Sequence, residues 1–381
     1  MKKILLVNAL QINEEDDGMG KYARSVVEFL ENHFTDKVTV CYLLTNSGKN
    51  VLKHRIPPER IVPFDYDKSR GFFIRFVKEN LEIPLLRHRL RADFYWSLDG
   101  KLPLYKGKAT KEIITLHDLG YMVAPGHYRL SRRLYWQLIY RTTAPRSDAV
   151  IAISDFTKRQ AVEYLRLEAD KVIRLSPLVR GNFVKPELPP EPGAQNYVLY
   201  YGQLTSRKNI KGLVEAYGIY SQSTTHPLKL FLVGADKSPA YVAGIKKSLV
   251  ESGMAESQIV FIGYASDEEL RQYIHNCRFV INPSFYEGFG LQVIEAFQME
   301  KMILVSRNTP MVEMIDQPDR YTFEAGDSRS IAAKIIEFGK LDPEALYREY
   351  LMESRKYRIE IAGENITKAY LEALEEIMEI R

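Results

Sequence analysis

Two glutamates, Glu287 and Glu295, bracket seven residues in the stretch Pro283-Ser284-Phe285-Tyr286-Glu287-Gly288-Phe289-Gly290-Leu291-Gln292-Val293-Ile294-Glu295. A short apolar run, Phe279-Val280-Ile281, precedes them, and an amphipathic stretch begins near Gly290. The order is therefore strand, glycine-rich turn, helix. Amides at such a helix start are preset for a phosphate, and Gly288 and Gly290 let the backbone approach a ligand closely. Each carboxylate accepts hydrogen bonds from sugar hydroxyls. Amides for a phosphate beside carboxylates for a polyol suit a nucleotide sugar. The competing reading is a plain turn with two solvated glutamates.

Three other groups have chemistry in them. Tyr201-Gly202-Gln203-Leu204-Thr205-Ser206-Arg207-Lys208-Asn209 follows an apolar run, and a lysine at the mouth of a cleft neutralises a diphosphate and its growing leaving charge. Without further support Arg207-Lys208 also reads as a solvated loop. Thr115-Leu116-His117-Asp118-Leu119 ends a strand, where ligands gather in open α/β sheets; taken alone, a His-Asp pair is more often structural. In Asp16-Asp17-Gly18-Met19-Gly20-Lys21-Tyr22, Gly18 and Gly20 permit a tight turn before a helix. The spacing is not that of the dinucleotide fingerprint, since no third glycine follows in place.

The elements that must carry these groups alternate along the chain. In the first half, strands are expected at Lys3–Ala9, Lys37–Leu44, Asp93–Ser97, Glu112–Leu116, Ala149–Ile153 and Val172–Leu175. Helices fall between, at Lys21–Asn32 and Tyr128–Arg141 and from an N-cap at Ser154 to Leu165. Phe72–Leu90 is a mixed apolar and basic segment that Pro84 should interrupt. Residues 181–195 are rich in proline and glycine and read as a linker. The alternation then restarts, with strands at Tyr197–Tyr201, Leu228–Val233, Gln258–Ile262, Phe279–Ile281 and Met302–Val305. The intervening helices are Asn209–Tyr220, Tyr241–Val250, Asp267–Asn276 and Gly290–Glu300. Such alternation implies parallel sheets built from βαβ units, and 381 residues exceed what one core usually holds.

Composition is that of a globular protein, 45% apolar and 27% charged. No apolar run has the length of a membrane helix. The opening Met1-Lys2-Lys3-Ile4-Leu5-Leu6-Val7 runs into Glu14, Glu15, Asp16 and Asp17, which fits a buried first strand better than a signal peptide. Two cysteines, Cys41 and Cys277, form no disulfide framework or metal knuckle, so a reducing cytoplasm is expected. Charge is uneven: residues 1–180 hold 31 Lys+Arg against 21 Asp+Glu, and the remainder 22 against 28. Residues 70–146 alone carry 15 basic to 6 acidic. Such a face is either merely solvated or attracts an anionic surface, phospholipid or a diphosphate-bearing acceptor. No nucleic-acid recognition motif accompanies it.

The glutamate–seven–glutamate stretch, with Asn-Pro-Ser before it, Glu-Gly-Phe-Gly-Leu inside and Glu-Ala after, resembles the signature of retaining glycosyltransferases of family 4. The resemblance implies the GT-B fold, α/β with two Rossmann-like doubly wound domains facing a cleft. It divides the chain into 1–180 (acceptor side), a linker at 181–195, 196–360 (nucleotide-sugar side) and a final helix, 361–381, crossing back to the first domain. Glu287 is then the donor-sugar contact, Glu295 the ribose ligand, and the amides of Phe289, Gly290 and Leu291 meet the pyrophosphate. Lys208 is the diphosphate ligand, His117 sits near the donor sugar, Tyr264 edges the base pocket, and Gly18 and Gly20 match a glycine loop facing donor and acceptor. Many relatives place an arginine where this chain has Gln203; Arg207 is the candidate substitute. The catalytic set so implied is His117, Lys208 and Glu287.

No cofactor and no metal are expected, there being no placed Asp-x-Asp, and the donor is GDP-mannose or a UDP-sugar. His117-Asp118-Leu119-Gly120-Tyr121 with Pro125-Gly126-His127-Tyr128 resembles mannosyltransferases of bacterial surface polysaccharide and lipopolysaccharide assembly. The expected activity is retaining hexosyl transfer, by same-face internal return rather than double displacement. The acceptor would be lipid-diphosphate-linked or an oligosaccharide, and the enzyme would be peripheral on the cytoplasmic face of an anionic membrane. The alternatives are a nucleotide-sugar 2-epimerase on the same fold and a non-catalytic sugar-nucleotide binding module.

Overall fold

A computed structural model describes residues 2–13, 18–64, 71–105, 110–178, 183, 185–186, 195–236, 238–251, 258–360 and 364–380. Asp16 and Asp17 and most of the 181–195 stretch lie outside the described residues. The chain forms two compact units, Met1–Arg180 with Ala362–Arg381, and Gly181–Ile361.

The first unit is built on β1 (Ile4–Asn8), β2 (Thr39–Leu44), β3 (Ile61–Pro63), β4 (Phe94–Ser97), β5 (Lys111–Leu116), β6 (Ala149–Ala152) and β7 (Val172–Arg174). Among the described residues they form one parallel sheet in the order β3-β2-β1-β4-β5-β6-β7. Strands such as Phe94–Ser97 and Ala149–Ala152 are buried throughout, as expected of a sheet covered on both faces. The helix Gly18–His33 starts at Gly18 rather than at Lys21, so both glycines fall in its first turn. Ser154 caps the helix Asp155–Leu165, its hydroxyl accepting from the Thr157 amide at 3.0 Å.

Pro84 does not interrupt its segment. Gly71–Leu90 is one helix with the proline inside it. Ile83 and Arg87 flank Pro84, both are buried, and Arg87 bonds Glu112 at 2.7 Å. Packing on both sides of the proline thus outweighs the lost backbone hydrogen bond.

The last helix, Glu364–Met378, belongs to this first unit. Tyr370 is fully buried beside Phe29, ring centroids 5.4 Å apart, and its hydroxyl lies 3.5 Å from that of Tyr22. Lys111 meets Glu379 at 2.7 Å.

The second unit holds β8 (Tyr197–Tyr201), β9 (Lys229–Val233), β10 (Ile259–Gly263), β11 (Phe279–Asn282), β12 (Ile303–Ser306) and β13 (Thr322–Phe323). Their order is β10-β9-β8-β11-β12-β13, again parallel. Ser266 and Glu269 close a capping box at the start of the helix Asp267–Asn276. Among the described residues no helix is long and apolar enough to cross a membrane. In both sheets the direction in which successive strands are added reverses once, between β1 and β4 and between β8 and β11. Crevices at such reversals are where open α/β sheets bind ligands.

Candidate active site

The β8/β11 reversal brings together two loops that are 79 residues apart in sequence at their charged tips. The loop after β8 makes a short 3-10 turn, Ser206–Lys208, closed by Asn209 at φ +57°. The loop after β11 carries Glu287. A backbone bond, Phe285 N to Arg207 O at 2.9 Å, ties one loop to the other.

Glu287 sits in the middle and is buried, as is Lys208. The Lys208 ammonium donates to Oε1, and the Ser284 hydroxyl donates to the same oxygen at 2.7 Å. Arg207 Nη1 donates to Oε2 at 3.2 Å and also reaches the Tyr286 carbonyl. Burial pushes the Glu287 carboxyl up, but the charges of Lys208 and then Arg207, with the bonds from Lys208 and Ser284, outweigh it and bring the pKa to about 2. Glu287 is therefore an ionised acceptor that locks two cations in place. Two cations against one carboxylate leave the cluster net positive, which suits an anionic ligand.

The helix Leu291–Gln298 starts beside this cluster, with Gly290 as its N-cap at φ +98°. A Cβ on Gly290 would stand 2.2 Å from Met311 Cγ. Gly290→Ala is therefore expected to cost about 1–3 kcal/mol from backbone strain, more if Met311 cannot move. Thermal melts check this, and an unchanged Tm would contradict the geometry. Glu295, on the second turn of the helix, is buried. It adjoins Tyr201, whose hydroxyl is pushed well above its ordinary range first by burial and then by the Glu295 charge and hydrogen bond. The Tyr201 hydroxyl also donates to the Gln292 carbonyl at 3.0 Å.

Of the residues singled out from sequence, the second unit gathers Gln203, Arg207, Lys208, Glu287, Gly288, Phe289, Gly290, Leu291 and Glu295 around the ends of β8 and β11. Gln203 is exposed. Arg207 points at Glu287. Tyr264 stands just after β10, two strands from β8, and is 77% exposed.

His117 and the two glycines belong to the first unit. His117 follows β5, with Nε2 2.7 Å from the Leu98 carbonyl. A carbonyl only accepts, so Nε2 carries a proton. The Tyr22 ring, from the helix that Gly18 and Gly20 open, meets the imidazole edge-on at 4.9 Å. Asp118 accepts from the Gly120 amide at 2.8 Å and so braces its own loop.

Sequence reasoning left Ser284 without a role, although it holds Glu287. It also passed over Gly234. Gly202, Gly234 and Gly263 end β8, β9 and β10, all at positive φ, and a Cβ on Gly234 would lie 1.8 Å from the Gly202 carbonyl oxygen. The signal was present as an apolar run closed by glycine three times over, in Tyr200-Tyr201-Gly202, Leu232-Val233-Gly234 and Phe261-Ile262-Gly263.

Residues 17–179 match the family described as Glycosyltransferase Family 4, and residues 185–359 match Glycosyl transferases group 1. The O-antigen chain mannosyltransferase B of Escherichia coli is 26% identical over 270 residues, covering 66% of this chain and 69% of that protein. The serotype-specific mannosyltransferase WbdA of Escherichia coli is 28% identical over 218 residues, 54% of this chain but only 26% of WbdA. Among solved structures, Anabaena HepE in complex with UDP and glucose superposes with a TM-score of 0.71 at 16% identity, covering 98% of this chain and 100% of HepE. WaaG, a glycosyltransferase involved in lipopolysaccharide biosynthesis, gives 0.69 at 14% identity over 98% of this chain and 99% of WaaG; at these identities the likeness is one of fold. With both halves matched in order and two doubly wound units of the GT-B kind, the chain belongs to the group 1 glycosyltransferases, its first half of the family 4 type.

Proposed function

We propose that the protein transfers a hexose, mannose by preference, from a nucleoside-diphosphate sugar to a lipid-linked or oligosaccharide acceptor in surface polysaccharide synthesis, with retention of anomeric configuration and without a metal. The observation that carries this is the cluster of buried Lys208 and Glu287 with half-buried Arg207 at the β8/β11 reversal, beside the start of the helix Leu291–Gln298. Transfer leaves negative charge on the departing diphosphate. Lys208 and the positive end of that helix stand ready for it, so their interactions strengthen as charge grows. Glu287, already held by three donors, orients Lys208 and offers a lone pair to a sugar hydroxyl; it does not act as an acid. Glu295 receives the ribose hydroxyls. His117, with its protonated Nε2 committed to Leu98, takes the donor-sugar role by resemblance. The mannose preference draws on the names of the Escherichia coli relatives, and the place of work is the cytoplasmic face of an anionic membrane.

A donor panel read by thermal shift, followed by transfer to lipid-linked acceptor and assignment of the product anomer by NMR, tests the proposal. Stabilisation by GDP-mannose or a UDP-sugar through mass action, and an α-linked product from an α-donor, are expected. No shift with any nucleotide sugar, or an inverted product, overturns it. Within this test, Glu295→Ala is expected to weaken donor binding by roughly 1.5–3 kcal/mol, the value of a hydrogen bond to a charged group. Equal donor affinity in variant and parent would take Glu295 out of the site.

A further inference from the structure

The first unit leaves an unusual number of large apolar side chains in water. Ile74, Val77, Leu81 and Leu85, on the helix Gly71–Leu90, are 54%, 37%, 61% and 66% exposed. Leu130, Leu134 and Leu138, on the helix Leu130–Thr143, are 64%, 56% and 63% exposed. Leu104 and Tyr105, in the loop after β4, are 52% and 64% exposed. The spacing on each helix is three to four residues, so each set forms one ridge.

These ridges belong to one face. Phe76 meets Tyr135 at 6.5 Å between the helices. The Asn80 side chain accepts from the Leu104 amide at 2.6 Å, and Arg146 donates to the Pro103 and Leu104 carbonyls. The aromatics between the leucines turn inward; Trp136 stacks on Tyr121 at 5.7 Å. The outer leucines are thus a second apolar surface on helices whose inner faces already pack on the core. Exposed apolar ridges on neighbouring helices mark a contact with a partner or a membrane.

The charges around the face select the partner. The helix Leu130–Thr143 contains no acidic residue, and Arg129, Arg132 and Arg141 are exposed along it. His88 and Arg89 are exposed at the end of the other helix. Glu82 is the exposed acidic residue of that helix, and it is 3.6 Å from Lys78. In a two-fold dimer through this face the basic patch would meet itself, which like-charge repulsion disfavours.

We infer that the ridges of Gly71–Leu90 and Leu130–Thr143, with Leu104 and Tyr105, seat the first unit on an anionic lipid bilayer, the leucines entering the acyl boundary and the arginines meeting lipid phosphates. This deepens the membrane part of the proposed function and rests on it for its purpose, transfer to a lipid-linked acceptor. Its place on the molecule rests on the exposed side chains alone. Arginine attraction fades with salt, whereas apolar insertion does not, so the two contributions separate.

The test is co-sedimentation of the full chain with phosphatidylcholine vesicles, with and without phosphatidylglycerol, at low and high salt. The parent is expected to bind the anionic vesicles and to keep part of that binding in high salt. Replacing Leu81, Leu85, Leu134 and Leu138 together with serine should lower the partition constant by about a hundredfold or more. Arg129→Gln with Arg132→Gln and Arg141→Gln should lower it about tenfold or more on anionic vesicles and leave neutral ones unchanged. Donor-induced thermal shift, read on the same samples, should be equal in parent and both variants, which shows that each is folded. No vesicle binding by the parent, binding unaffected by the four serines, or a parent dimer in solution that the serines dissociate would each overturn the inference. Failure of every donor to bind, with vesicle binding intact, would instead remove the proposed function and leave this surface standing.

Discussion

Lys208→Ala is expected to lower kcat by about 10²–10³-fold, the usual effect of removing one preorganised group that meets growing charge, while donor affinity falls much less. The ammonium is buried and fixed on Glu287 Oε1, so it is oriented before the donor arrives and costs no reorganisation during transfer. Arg207 does not replace it, because its guanidinium is spent on Glu287 Oε2 and the Tyr286 carbonyl. Nor is Lys208→Arg conservative, since a planar fork in the place of a point charge would meet the same carboxylate differently. The alanine variant also leaves Glu287 short of a partner. Breaking a buried pair costs about 3–5 kcal/mol when nothing else compensates; here Ser284 and Arg207 remain, so the loss in unfolding free energy should be smaller than that. Single-turnover rates beside donor titration separate the two effects. If KM alone rises and kcat stays, Lys208 contributes uniform binding and its leaving-group role is wrong.

The residues just invoked differ in how far sequence could foresee them. Strands such as Tyr197–Tyr201 stood out because burial on both faces demands an unbroken apolar run. The helix Asp267–Asn276 lies where it is expected, and Ser266 and Glu269 fix its start by local chemistry. The helix Asn46–Leu52 and the three-residue strand Ile61–Pro63 did not stand out, being too short for either periodicity to register. Glu287 and Glu295 stand out by residue type and spacing, Lys208 only with the family resemblance. Their mutual arrangement does not, because the Lys208–Glu287 pair exists only through the neighbouring of β8 and β11, which no local window contains. In the basic segment the charge count was plain but the two faces of its helix were not: Leu134 turns to solvent while Trp136, two residues on, stacks on Tyr121.

Glu287→Gln should leave the acid side of the pH–rate profile unmoved while lowering kcat by roughly a hundredfold, since Lys208 loses the charge that orients it. With its pKa held at about 2, Glu287 is ionised throughout any working range, so a rate limb at higher pH belongs to another group. Stability should respond in a different window. The folded-state pKa lies below the ordinary 4.5, so the contribution of the ionised carboxylate is fully present above about pH 4.5. It is lost as pH falls from there through about 2. The shift corresponds to roughly 3 kcal/mol at most. The difference in unfolding free energy between parent and Glu287→Gln should therefore be constant at neutral pH and shrink steadily between about pH 4.5 and 2. Denaturant melts over that range, beside kcat measured across the activity range, carry the test. An acid limb that moves in the glutamine variant would make Glu287 the titrating catalyst. A stability difference that persists undiminished at pH 2 would mean that the variant suffers from altered packing rather than from the lost charge.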